Sequence, residues 1–177
     1  EYTSHGHCGI MTQAGLDNDA TLTILQKIAV SYANAGVDII APSGMMDGMV
    51  HAIRTALDTN NASHISIMSY AIKYASQFYG PFRDAAGSDQ FTGGRHHHQL
   101  NPAQRKEGLF EAQLDEQEGA DFLIVKPAGF YMDMIRDLSE TTDLPIVGYH
   151  VSGEYAMIHH AAKAGALEMI PALQEIY

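Results

Sequence analysis

Four short apolar runs, each separated from the next by a helical stretch, constrain this chain more than any other feature. They are Val37-Asp-Ile-Ile-Ala-Pro42, residues 64–73, Asp121-Phe-Leu-Ile-Val-Lys126 and residues 144–149. Short runs of this kind between turn signals predict buried strands. Ahead of the first, Leu22, Leu25, Ile28, Ala29 and Tyr32 recur at steps of three and four, the period of a helix. Asp17-Asn-Asp19 supplies its N-cap chemistry and Gly36 its stop. Further helices are expected over 46–57, from Pro102 to about Glu118, over 131–138 and over 154–163. Pro102 fits a first helical turn, and Gly119 ends that helix. Ala35-Gly-Val-Asp38 and Glu118-Gly-Ala-Asp121 repeat one helix-to-strand junction.

Strands alternating with helices imply parallel βα units. No glycine-rich dinucleotide loop accompanies them, which favours an α/β fold of the (β/α)8 TIM-barrel type over a Rossmann sheet. A closed barrel usually needs about 250 residues, so this chain is expected to hold about four units of one. It starts at Glu1 and stops at Tyr177 within a helical pattern. Residues 1–177 are therefore expected to be the central part of a single catalytic domain that continues at both ends. Standing alone, such a piece is expected to aggregate or to need a partner in order to fold.

Ten Lys+Arg stand against 21 Asp+Glu, a formal charge of −11. No basic stripe meets phosphates, which argues against nucleic-acid and anionic-membrane partners. No apolar run approaches the roughly 20 residues that span a bilayer. Cys8 is the single cysteine, so an internal disulfide is excluded and a reducing, cytoplasmic setting is expected.

Two strand runs end in lysine, at Lys73 and Lys126. A lysine at the mouth of a buried strand loses hydration, which lowers its pKa and favours the neutral amine. A neutral amine can attack a ketone and form a Schiff base. From position alone, an ordinary strand-end lysine with its head in water is the commoner case. Ser43, Lys73, Lys126 and Ser152 all fall at or just past strand C-termini, where barrel enzymes build active sites. Residues 76–101 lack periodicity and form a connection far longer than a usual βα loop, so they are expected to be an active-site flap. Tyr2-Thr-Ser-His-Gly-His-Cys8-Gly9 packs two histidines and a thiol too tightly for all three to hold one tetrahedral zinc.

In this order, that string, Ala41-Pro-Ser-Gly-Met-Met-Asp-Gly48, Met68-Ser-Tyr-Ala-Ile-Lys-Tyr-Ala-Ser-Gln-Phe-Tyr-Gly-Pro-Phe-Arg-Asp-Ala86, Val125-Lys-Pro127 and Tyr149-His-Val-Ser-Gly-Glu-Tyr-Ala156 resemble the porphobilinogen synthase family, also called 5-aminolaevulinate dehydratases. The resemblance implies a lyase that condenses two 5-aminolaevulinate molecules to porphobilinogen in tetrapyrrole and haem synthesis. It implies that Lys126 forms the Schiff base with the substrate of the propionate side and that Lys73 holds the acetate-side substrate. Arg83, Arg95 and Gln99 match positions that bind the second substrate, and Ser152 matches the hydroxyl on the first substrate's carboxylate. Ser43 is grouped with them as substrate-binding. Cys8 matches one of three zinc-binding cysteines, the other two expected before Glu1. Glu111 matches an acidic residue that holds an allosteric magnesium between subunits. A homo-octamer is the implied assembly.

Two positions depart from the family pattern: Gly44 stands where aspartate is usual and Met49 where arginine is usual. Their loss is expected to remove a structural ion pair. His96-His-His98 sits where the family has basic and aromatic residues, and is expected to be exposed polar loop. A single-lysine Schiff-base aldolase and a non-catalytic metal-binding fragment are the alternatives. The second lysine and the arginine-bearing flap speak against the aldolase.

Overall fold

The computed structural model describes residues 7–86 and 98–176. Its centre is a four-stranded sheet of Ile39–Ile40 (β3), Ser66–Lys73 (β4), Phe122–Lys126 (β5) and Ile146–Gly148 (β6). The strands are all parallel and lie side by side in chain order. A doubly wound sheet would reverse its order at a switch point. Sequential order with a helix after every strand is the wall of a (β/α)8 barrel, here four βα units. The helices are Asn18–Asn34 (α1), Met49–Thr59 (α2), Gly80–Ala86 (α3), Arg105–Gln117 (α4), Met132–Thr141 (α5), Ser152–Lys163 (α6) and Met169–Ile176 (α7).

Local chemistry sets most of the boundaries. The Asp17 carboxylate accepts from the Ala20 N–H at 2.9 Å and starts α1. Gly36 and Gly119 take φ of 85° and 102° just after α1 and α4, so the two repeated junctions share one left-handed stop. The core lies between sheet and helices: Val50 and Leu57 from α2 and Ile67, Ile72, Leu123 and Val125 from the strands are fully enclosed.

Several boundaries differ from expectation. Pro102 does not open a helix. Asn101 accepts from Ala103 N–H through its side chain and from Gln104 N–H through its carbonyl, and this turn delays α4 to Arg105. The second helix begins at Met49, because Gly48 holds φ 72° immediately before it. The expected flap is helical at its root, with a 3-10 turn over Gln77–Tyr79 leading into α3, while residues 87–97 lie outside the described part. A small antiparallel hairpin of Ile10–Thr12 (β1) and Gly15–Asp17 (β2) gave no sequence signal. Gly44 and Met49 lie against each other: a Cβ at Gly44 would sit 3.4 Å from the Met49 sulfur. Both positions are buried and uncharged, so the two meet in an apolar contact. Among the described residues, no helix is long and apolar enough to cross a membrane.

Candidate active site

The strand ends place the two lysines side by side. Ser69 pairs with Leu123 and Ile72 with Val125, so β4 spends three residues where β5 spends two. The extra residue is a β-bulge, and beyond it Lys73 stands directly opposite Lys126. Without the bulge, Lys73 would face Pro127. Burial follows the same break: alternation along β4 stops at Ala71, Ile72 and Lys73, which are buried in succession.

Lys73 is 5% exposed, and its amine donates to the Ser43 carbonyl at 2.6 Å. The water-exposed alternative therefore fails for this residue. Lys126 is half-buried among tyrosines, its Nζ 4.1 Å from the Tyr149 ring centre, 5.2 Å from Tyr70 and 5.3 Å from Tyr79. Tyr70, at the bulge, also faces Lys73 at 5.7 Å. Loss of hydration favours the neutral amine, while a carbonyl or an aromatic face favours the charged one. Both influences act on this pair.

Lys73, Lys126, Ser43, Gln99 and Ser152 share one cavity of about 280 Å³, walled further by Tyr70, Tyr79, Phe82 and Tyr149. Gln99 is 5% exposed, and neither end of its amide has a hydrogen-bond partner among the described residues. Leaving such a group unmatched costs about 1–3 kcal/mol. A polar ligand in the cavity would recover it. Ser152 begins α6; its hydroxyl accepts from Phe82 N–H at 3.2 Å and reaches the Phe78 carbonyl at 3.4 Å. It thus ties the flap root to the sheet's C-terminal end.

Arg83 does not line the cavity. Its guanidinium donates to the Ser76 carbonyl at 3.1 Å and lies 5.6 Å from the Tyr79 ring centre, on the flap root. Arg95 lies outside the described residues, as do His96 and His97. The ring nitrogens of His98 are buried and its ring sits edge-on to His7 at 4.8 Å, so this histidine is not exposed loop. Cys8 is buried beside a second, apolar cavity of about 400 Å³ that shares Ser43 with the first. Glu111 lies on α4, where burial and then the charges of Asp47, Glu107 and Glu118 raise its carboxyl pKa. It does not line the lysine cavity.

Sequence reasoning missed two residues here. The Tyr79 hydroxyl donates to the Tyr74 carbonyl at 2.7 Å and reaches that of Lys126 at 3.4 Å. Burial, then Tyr131, push this phenol well above its ordinary range, against a smaller opposing effect of Arg83, so it remains a neutral donor. Glu154 is 3% exposed, and its carboxylate accepts from two backbone N–H groups. A glutamate at the start of an expected helix was its only available signal.

The model of the delta-aminolevulinic acid dehydratase family matches residues 1–177. The chain belongs to that family. Delta-aminolevulinic acid dehydratase of Escherichia coli (strain K12) is 58% identical over 168 residues, covering 95% of this chain and 52% of that protein. The Bacillus subtilis (strain 168) enzyme of the same name is 56% identical over 165 residues, 93% of this chain and 51% of that protein. The chain thus spans about half the length of the curated relatives it matches. Among solved structures, delta-aminolevulinic acid dehydratase (porphobilinogen synthase) of Toxoplasma gondii ME49, in complex with the reaction product porphobilinogen, superposes with a TM-score of 0.94 at 44% identity. That match covers 98% of this chain and 50% of the other. The dehydratase family is the one whose motifs the sequence carries, and its barrel accounts for the sequential parallel sheet.

Proposed function

We propose that this chain carries the two Schiff-base lysines of a porphobilinogen synthase, which joins two 5-aminolaevulinate molecules into porphobilinogen with release of two waters. The observation that carries the proposal is the pairing of Lys73 with Lys126 in one register, both reaching one cavity. Two ketone substrates call for two amines, whereas an aldolase would need one. In each case the neutral amine attacks the ketone carbon, a C–N bond forms, and the carbonyl oxygen leaves as water to give the imine. Lys126 takes the propionate-side substrate and Lys73 the acetate-side one. Ser152 serves the first carboxylate, Gln99, Arg83 and Arg95 serve the second substrate, and Ser43 belongs to the substrate-binding set. The Gln99 amide, which has no hydrogen-bond partner among the described residues, supports a polar ligand in the cavity.

Zinc and magnesium belong to the proposal with separate support. Among the described residues, no three His, Cys, Asp or Glu side chains converge as a metal site. Cys8 alone does not fit a closed zinc site, which needs four ligands, so no step runs through zinc. Cys8 is offered as one thiolate ligand, supported by its place across Ser43 from the lysine cavity. Glu111 is offered as a magnesium ligand, since magnesium is often held by one or two carboxylates and several waters. The full protein would be a cytoplasmic homo-oligomer, an octamer by the resemblance.

Borohydride trapping tests the chemistry. In a full-length protein carrying these residues, 5-aminolaevulinate followed by borohydride should label Lys126 first and Lys73 at higher occupancy. Peptide mapping with label on neither lysine overturns the proposal.

A further inference from the structure

Glu154 is the third residue of α6 and is almost wholly enclosed. Its Oε2 accepts from the Val151 N–H at 2.7 Å, closing the start of the helix. Its Oε1 accepts from the Gly129 N–H at 2.8 Å, in the loop that leaves β5 three residues after Lys126. A Cβ on Gly129 would stand 2.7 Å from that oxygen, so only glycine lets the loop backbone approach so closely. The same loop is held by Ala128 N–H on the Tyr149 carbonyl at 3.0 Å and by the Tyr79 hydroxyl on the Lys126 carbonyl.

We infer that Glu154 is a positioning residue for Lys126: its carboxylate clamps the 126–129 loop onto the first turn of α6, so that the Lys126 amine and the Ser152 hydroxyl move as one unit. The inference rests on the Schiff-base reading above. Both partners of Glu154 are backbone donors, so both of its oxygens must accept. An ionised carboxylate does this with two charge-assisted bonds. A glutamine of the same shape cannot. One end of its amide is an NH2 group, and in either orientation that end faces an N–H and leaves a buried donor unmatched. The consequence lies in aim, since small displacements of a reacting group from its attack geometry cost rate steeply.

The test is the ratio of borohydride-trapped label on Lys126 to that on Lys73, in the full-length protein and its Glu154→Gln variant. Loss of folded protein lowers both labels together and leaves the ratio fixed; loss of aim lowers Lys126 alone. A fall of about tenfold in the ratio is expected for one lost charge-assisted bond. Gly129→Ala keeps the carboxylate but displaces the loop, and it should shift the ratio the same way, so the test stands if Glu154→Gln does not fold. An unchanged ratio in a variant whose parent labels both lysines overturns the role of Glu154 alone. A parent that takes no label overturns the Schiff-base reading and this inference with it.

Discussion

Ser69, enclosed on β4, donates its hydroxyl to the Asp115 carboxylate on α4 at 2.5 Å, four residues before β4 ends in Lys73. Burial raises the Asp115 carboxyl from 3.8 to about 7; the Ser69 bond works against this rise, and Glu118 and Glu111 add to it. A folded-state pKa raised above the unfolded one means the folded protein holds a proton that the unfolded chain releases. The associated stability is fully present below about pH 4 and is lost as pH rises through about 7. Asp115→Asn should therefore flatten the decline and stabilise the protein at pH 8 on the order of 2 kcal/mol. Denaturant unfolding at pH 5 and pH 8 checks this, and equal pH dependence in variant and parent would contradict it. Ser69→Ala, by removing the bond that favours the ionised form, should carry the decline to higher pH.

Gly153 sets how closely α6 meets the flap root. A Cβ there would lie 2.5 Å from the Phe78 carbonyl oxygen and 2.7 Å from its Cα, and both are backbone atoms. Gly153→Ala should cost about 1–3 kcal/mol through overpacking and should release residues 77–86 from the Ser152 hydroxyl. Faster proteolytic cleavage near residues 77–86 than elsewhere is the expected sign.

Arg83 is held between the Ser76 carbonyl and the Tyr79 ring, one step outside the cavity. Under the proposed function, Arg83→Ala should mainly weaken the second substrate, by about 1.5–3 kcal/mol for a lost charged hydrogen bond. Arg83→Lys should recover only part, because an ammonium lacks the planar fork that both bonds and stacks. Substrate-concentration curves that overlay those of the parent would remove Arg83 from substrate binding.

What the sequence made legible follows from how local its causes are. The Asp17 cap, the stops at Gly36 and Gly119 and the lysines at two strand ends are each fixed within a few residues, and each stands where expected. The bulge that turns Lys73 to face Lys126 comes from pairing across about fifty residues, and nothing near Tyr70 marks it. Tyr79 and Glu154 were missed for the same reason: each bonds a backbone group delivered by another element. Pro102 misled because its ordinary helix-start preference lost to the Asn101 turn beside it.

Among the described residues, β3 and β6 each pair on one side only, which leads to a prediction about the 177-residue chain by itself. Ile39 at the β3 edge is 42% exposed, and Ile170 on α7 is 63% exposed. Strand edges and exposed apolar side chains such as these favour association between chains. Concentration-dependent self-association by light scattering is expected, together with no porphobilinogen formation in a colorimetric assay. A monodisperse, active monomer would contradict both expectations.

Gly44 and Met49 offer the sharpest test of whether packing has replaced the ion pair that the resemblance implies. The Met49 sulfur occupies the space beside Gly44, and Met49 is 2% exposed. Gly44→Asp alone would press a carboxylate against a thioether in a buried site, with no cation to meet it, and should destabilise by about 3 kcal/mol or more. Met49→Arg alone would bury a guanidinium opposite a glycine and should cost a similar amount. Together the two changes create a matched pair across the same contact, so their effects should fall short of additive by about 1–3 kcal/mol. A double-mutant cycle in denaturant measures this coupling. A coupling of zero would mean that the two positions, although touching, did not change as a pair.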